Sequence, residues 1–212
     1  MAAWLFENGA DPAALCHGHS AYAFAAVFSY ADLVARPDAL GQTTPLTDME
    51  QMLAQAAKAV GAMSIIDTDK LPTHYRGILR EILHFQDKLL PPKALVAIGL
   101  EWDHADSDGV TPVQAAGWNG LPDVMDYFMS PRPDLSHVNK NGGRFLSTIL
   151  HGVDHNPQQA GGDYIGCLRI AMEHGVALPR RAIDASGLPE IRAFLQQWVE
   201  RMLGQVVEYG VF

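Results

Sequence analysis

The chain has 212 residues, 48% of them apolar and 18% charged, with 15 basic against 24 acidic side chains and a formal net charge of −9. That apolar content excludes wholesale disorder, because it can bury a core, and the length allows one domain or an elongated array of small units. The negative charge argues against nucleic acid or an anionic membrane as the main partner, since both would repel it, and it fits either solubility or a basic partner.

The N-terminal Met1–Gly9 segment has no basic region, and Glu7 interrupts it early, so it does not read as a secretory signal. The most apolar stretch, Ala21 to Ala35, is broken by Ser29 and Asp32 and is shorter than the roughly 20 residues a spanning helix needs. Two cysteines, Cys16 and Cys167, are too far apart in sequence to suggest a disulfide framework or a Cys-rich zinc site. Together these features predict a soluble protein of the reducing cytoplasm, with free thiols.

In chain order, the spacing predicts a helix over Asp48–Val60, with Met49, Met52, Leu53, Ala56, Ala57 and Val60 on one face. A second is predicted over His74–Leu89, carrying Ile78, Leu79, Ile82 and Leu83, and Pro91-Pro92 opens a third that ends at Gly99. Asp108-Gly109 marks a turn. Thr111 then reads as an N-cap with Pro112 at the first helical position, where its missing N–H costs nothing. Val113, Ala116 and Gly117 make a short small-residue helix that Asn119-Gly120 ends. Pro122 and Asp123 open the next helix, whose stripe is Val124, Tyr127 and Phe128. A polar, Gly-rich loop is predicted over 153–162, and Pro179–Leu203 reads as a helical cap.

Internal echoes run through this pattern. His104–Gly109 aligns without a gap on His137–Gly142, 33 residues later. Gly120-Leu121-Pro122-Asp123-Val124 is echoed by Gly187-Leu188-Pro189-Glu190-Ile191, two such periods plus one residue on. Similar helix ends stand at Phe6–Asp11, Ala97–Glu101 and Met172–Ala177. A helix-turn-helix unit this small cannot bury its apolar face alone, but stacked copies can.

Gly109–Ala116, reading Gly-Val-Thr-Pro-Val-Gln-Ala-Ala, resembles the Thr-Pro-Leu-His-x-Ala signature of ankyrin repeats. Gly9-Ala10-Asp11-Pro12 and the degenerate Gly18–Ala26 are similar to parts of the same pattern. Departures are Gln114 in place of His, Arg144-Phe145-Leu146-Ser147 in place of Thr-Pro-Leu-His, and a Ser130–Asp134 turn without Gly. The resemblance implies an all-α fold, an ankyrin-like solenoid of stacked helix-turn-helix units forming one elongated domain over 1–212. Its parts would be an N-terminal repeat (1–36), eroded repeats or a helical insertion (37–93), two clearer repeats with an insertion at 153–162 (94–178), and a capping repeat with a tail (179–212). Family members bind proteins through finger tips and the inner faces of the first helices. Carried over by register, those positions are Ala105, Ser107, Asp108, Val110, Trp118 and Asn119, then Val138, Lys140, Asn141, Gly143, His151 and Gly152, and in the first unit His19, Val27 and Phe28. Trp118 leads this set, because a large amphipathic ring left open is the usual anchor of an interface; the alternative is that it packs against an insertion or the neighbouring unit.

Motifs for chemistry are missing. The sequence has no Gly-x-Ser-x-Gly elbow, no phosphate-cradling Gly-x-x-x-x-Gly-Lys-Ser/Thr and no Gly-x-Gly-x-x-Gly. Basic residues are scattered, with Arg180-Arg181 as the one doublet at a helix start, which makes no nucleic-acid footprint. Cys167 falls on an apolar stripe with Leu168 and Ala171 and reads as core. His17 and His19 have no third ligand nearby in sequence, and His151, Asp154 and His155 are assigned to the inserted loop. No catalytic residue, cofactor or metal is expected. The function expected is a protein-interaction scaffold, one version of which masks a basic effector as an inhibitor or immunity-type protein. The alternative is an enzyme with its site in 37–93 or 153–162.

Overall fold

The computed structural model describes residues 8–16, 19–39, 41, 43–59, 64–84, 89–156 and 161–208. His17, Val60 and the 157–160 part of the predicted loop lie outside them. The described residues are mostly helical, and strands are limited to two-residue pairings. Among them no helix is long and apolar enough to cross a membrane. The chain divides into two compact units, residues 1–82 with 88–101 and residues 83–87 with 102–212.

In the first unit, β1 (Leu15–Cys16) pairs antiparallel with β2 (His19–Ser20) and leads directly into α1 (Ala21–Val27). The Ser20 hydroxyl caps α1 by accepting the Ala23 N–H at 3.0 Å. After Phe28 the chain reverses through Ser29, at φ 59, into α2 (Ala31–Ala39). Thr47 and Glu50 form a reciprocal capping box at the start of α3 (Asp48–Ala57). Helix α3 ends at Lys58, before Ala59 at φ 53. Of the single helix predicted over 74–89, residues 85–88 lie outside the described residues, and the described part holds two short helices, α4 (Thr73–Arg76) and α5 (Ile78–Ile82). Gly77 separates them at φ −83, ψ 8, and its missing side chain gives the helix little reason to continue through it. Helix α6 (Leu90–Ala97) starts on its two prolines as expected. Helix α1 packs on α2 and α3, and α3 packs on α6, around Val27, Phe28, Leu53, Tyr75, Ile78 and Leu95.

The second unit contains α7 (Pro112–Trp118), α8 (Pro122–Met129), α9 (Phe145–His155) and α10 (Tyr164–Glu173). Helix α7 packs on α8 and α9, and α10 packs on the same two helices, with Met125, Phe128, Phe145, Ile149 and Leu168 buried among them. A Cβ at Gly117 would come within 2.7 Å of Ile149 Cγ1, which explains the small residue in α7. The Thr111 cap and Pro112 start are as read from sequence, and Gln114 completes a capping box. Gln114 is buried, and its Nε2 also donates to the Gly143 carbonyl at 3.4 Å. Next, β3 (Leu178–Pro179) leads to α11 (Arg180–Ala185) and α12 (Pro189–Arg201). The chain then returns as β4 (Val206–Val207), parallel to β3.

The predicted loop at 153–162 needs correction. Helix α9 runs through Val153, Asp154 and His155 and stops at Asn156, so it has 11 residues where α7 has seven. Close packing holds the extra turn: Gly152 lies against the Trp118 backbone, where a Cβ would approach the carbonyl carbon to 2.9 Å. After the loop, the Asp163 N–H donates to the Gly120 carbonyl at 2.8 Å, which anchors the returning segment to the α7–α8 turn.

Candidate functional site

Two turns precede α7 and α9, and they are built alike. Asp106 Oδ1 accepts the N–H groups of Asp108 and Val110, both at 2.8 Å, while the Asp106 N–H donates to the Val110 carbonyl at 3.1 Å. Thirty-three residues on, Asn139 Oδ1 accepts from Asn141 at 3.0 Å and Gly143 at 2.8 Å, and its N–H donates to the Gly143 carbonyl at 3.0 Å. Asp and Asn serve equally here, because the turn needs a side-chain oxygen reaching two residues on. Gly109 and Gly142 close the two turns at φ 74 and 78. The turns also bond to each other. The Lys140 N–H donates to the Asp108 carbonyl at 2.8 Å, and His137 Nε2 lies 2.6 Å from the Gly109 carbonyl, so it carries the proton. The backbone of this segment is spent on the scaffold, and the side chains of Ser107, Asp108, Lys140 and Asn141 are left exposed, with Val110 half-buried.

Trp118, Asn119 and His151 form a second group. The Trp118 ring is half-buried rather than open, with its centroid 5.0 Å from that of exposed His151. The Trp118 carbonyl accepts from Asn156 Nδ2 and from the Tyr164 hydroxyl, each at 3.0 Å. Asn156 Nδ2 also donates to Asn119 Oδ1 at 3.2 Å, and Asn119 Nδ2 donates to the Ala115 carbonyl at 2.9 Å. Sequence reasoning missed Asn156 and Tyr164. Their acceptor is a backbone carbonyl 38 and 46 residues away, for which no local pattern exists. On α9, His151 and His155 bring their rings to 4.1 Å between centroids. Burial lowers the His151 pKa below its ordinary value, His155 adds to this, and Asp154 opposes it.

Other positions fare differently. Val27 and Phe28 are 0% and 1% exposed, so they belong to the core of the first unit and cannot line a binding face. Gly152 is likewise buried against Trp118. Burial pushes the Cys167 thiol well up, which leaves no thiolate nucleophile there.

Within 37–93, Glu50 accepts from the Thr47 N–H and hydroxyl, both at 2.9 Å, and from the Tyr75 hydroxyl at 2.8 Å. Burial pushes the Glu50 carboxyl up, but those bonds and the nearby His74 outweigh it, so it stays ionised as a fixed acceptor. The His19 ring lies tilted against that of His74 in the same cluster, with 4.3 Å between centroids. Next to the insertion, a cleft of about 450 Å³ between Asp163–Ile165 and Leu188–Ile191 holds two carboxylates, Asp163 and Glu190. Asp163 is engaged in capping α10 through the Gly166 N–H at 2.7 Å. Among the described residues no three His, Cys, Asp or Glu side chains stand together to hold a metal. The chain matches no protein-family model and no curated protein.

Proposed function

We propose that the chain is an ankyrin-like repeat protein that binds a basic protein partner and carries out no chemistry of its own. The observation that most supports this reading is the turn built twice, with the same side-chain and backbone bonds 33 residues apart and joined through Lys140 and Asp108. Such a ladder of turns holds exposed side chains in fixed order, which is what a binding surface needs. The 37–93 region then reads as eroded repeats, since α3 begins on a Thr cap and ends in a left-handed residue as α7 does. A net charge of −9 favours a basic partner, and the inhibitor or immunity-type version is the case in which that partner is an effector whose site is covered.

The test is a double variant, Asp108→Ala with Asn141→Ala, in the full chain. Both side chains are exposed, so the melting temperature should stay unchanged. Recovery of the native partner should fall tenfold or more, and added salt should weaken the wild-type complex. An unchanged partner set at unchanged stability would contradict this surface.

A further inference from the structure

Helix α9 carries its histidines one turn apart, and this placement exists only because the helix continues where the sequence suggested a loop. Residues four apart on a helix share one face. The imidazole centroids of His151 and His155 are 4.1 Å apart, with the planes tilted by 32°. His155 Nδ1 lies 3.2 Å from the His151 carbonyl. A carbonyl can only accept, so that nitrogen bears the proton and the lone pair of the neutral ring is at Nε2. A histidine that donates one ring N–H to a backbone carbonyl while offering the other nitrogen is the usual arrangement of a metal ligand.

We propose that His151 and His155 chelate a divalent transition-metal ion of the copper, nickel or zinc type on the last turn of α9. The two imidazoles fill two coordination positions and water fills the rest, so the site is open rather than structural. Metal binding requires neutral rings, so protons compete for the site. Asp154, on the same turn, is engaged elsewhere, its Oδ1 accepting the Gly187 N–H at 3.2 Å, so the two imidazoles are the protein ligands. Nitrogen donors favour copper and nickel over magnesium and calcium, which take oxygen ligands. The Trp118 ring, 5.0 Å from His151, stands close enough for bound nickel or copper to quench its fluorescence.

The experiment is calorimetric titration of the untagged full chain with nickel chloride, and with magnesium chloride as the counter-probe. One saturable nickel site should appear, and magnesium at the same concentration should not compete for it. His151→Gln and His155→Gln should each weaken the site tenfold or more with helical circular dichroism unchanged, while His104→Gln leaves it intact. Trp118→Phe should keep the binding heat and lose the nickel-dependent quenching. Absence of a saturable site, or nickel binding that survives both substitutions on α9, would overturn the proposal.

Discussion

The turns after α1 and α7 share three backbone bonds and differ in the residue that makes them. Phe28, Ser29 and Tyr30 donate to the carbonyls of Phe24, Ala26 and Ala25, and Asn119, Gly120 and Leu121 donate to those of Ala115, Gly117 and Ala116. The left-handed position holds Ser29 at φ 59 in the first unit and Gly120 at φ 64 in the second, with Ala59 at φ 53 after α3. A side chain at such a φ costs on the order of 1–2 kcal/mol, and the first unit bears that cost twice. At Gly120 the turn has a second duty. The returning segment docks on it, and a Cβ there would lie 2.7 Å from Gly162 Cα. One backbone motif is thus a plain helix stop in one unit and a docking floor in the other.

Substitutions that add or remove a single Cβ separate these roles. Gly152→Ala should be the most damaging, destabilising by about 3 kcal/mol in denaturant unfolding, because it forces α9 away from the Trp118 carbonyl. Gly120→Ala should cost about 2 kcal/mol, combining the left-handed penalty with displacement of Gly162. A loss as small as a few tenths would mean that the returning segment does not rest on that turn. Asn156→Ala should cost about 1–2 kcal/mol, since Asn156 is 7% exposed and bonds both the Trp118 carbonyl and Asn119. Ala59→Gly should work the other way and stabilise by about 0.5–1 kcal/mol, as relief of φ exceeds the added freedom of the unfolded chain.

Glu50 supplies the smallest effect, and its sign is set by a folded pKa lying below the ordinary 4.5. The contribution of a lowered carboxyl is complete above the unfolded value and is lost as pH falls through the folded one. Acid unfolding of the wild type should therefore steepen below about pH 4.5. Glu50→Gln should flatten that part of the curve, and an unchanged acid limb would contradict the bonding assigned to Glu50.

Local chemistry in the sequence was enough to place what local chemistry determines. The Thr111-Pro112 start, the Asp108-Gly109 turn and the proline starts at Pro91 and Pro122 stand where they were read, since each signal acts within one turn of helix. The far end of α9 was not legible. His151-Gly152-Val153-Asp154-His155 looks like loop composition, and only the fit of Gly152 against the Trp118 backbone makes it helical. The break at Gly77 was hidden for the opposite reason, because Ile78, Leu79 and Ile82 are buried whether or not the helix is continuous. At the candidate site the register makes Trp118 and His151 equivalent positions in successive units, but the 5.0 Å approach of their rings and the half-burial of Trp118 depend on contacts with a later helix.

Replacement of Trp118 tests the binding account most directly. Trp118→Ala keeps the carbonyl that Asn156 and Tyr164 bond and removes only the half-buried ring. The account predicts partner capture reduced tenfold or more, with a stability loss of about 1–2 kcal/mol, well short of core truncation. Capture at the wild-type level, or a loss of roughly 3–5 kcal/mol as for a buried aromatic, would place Trp118 in the core and contradict the account.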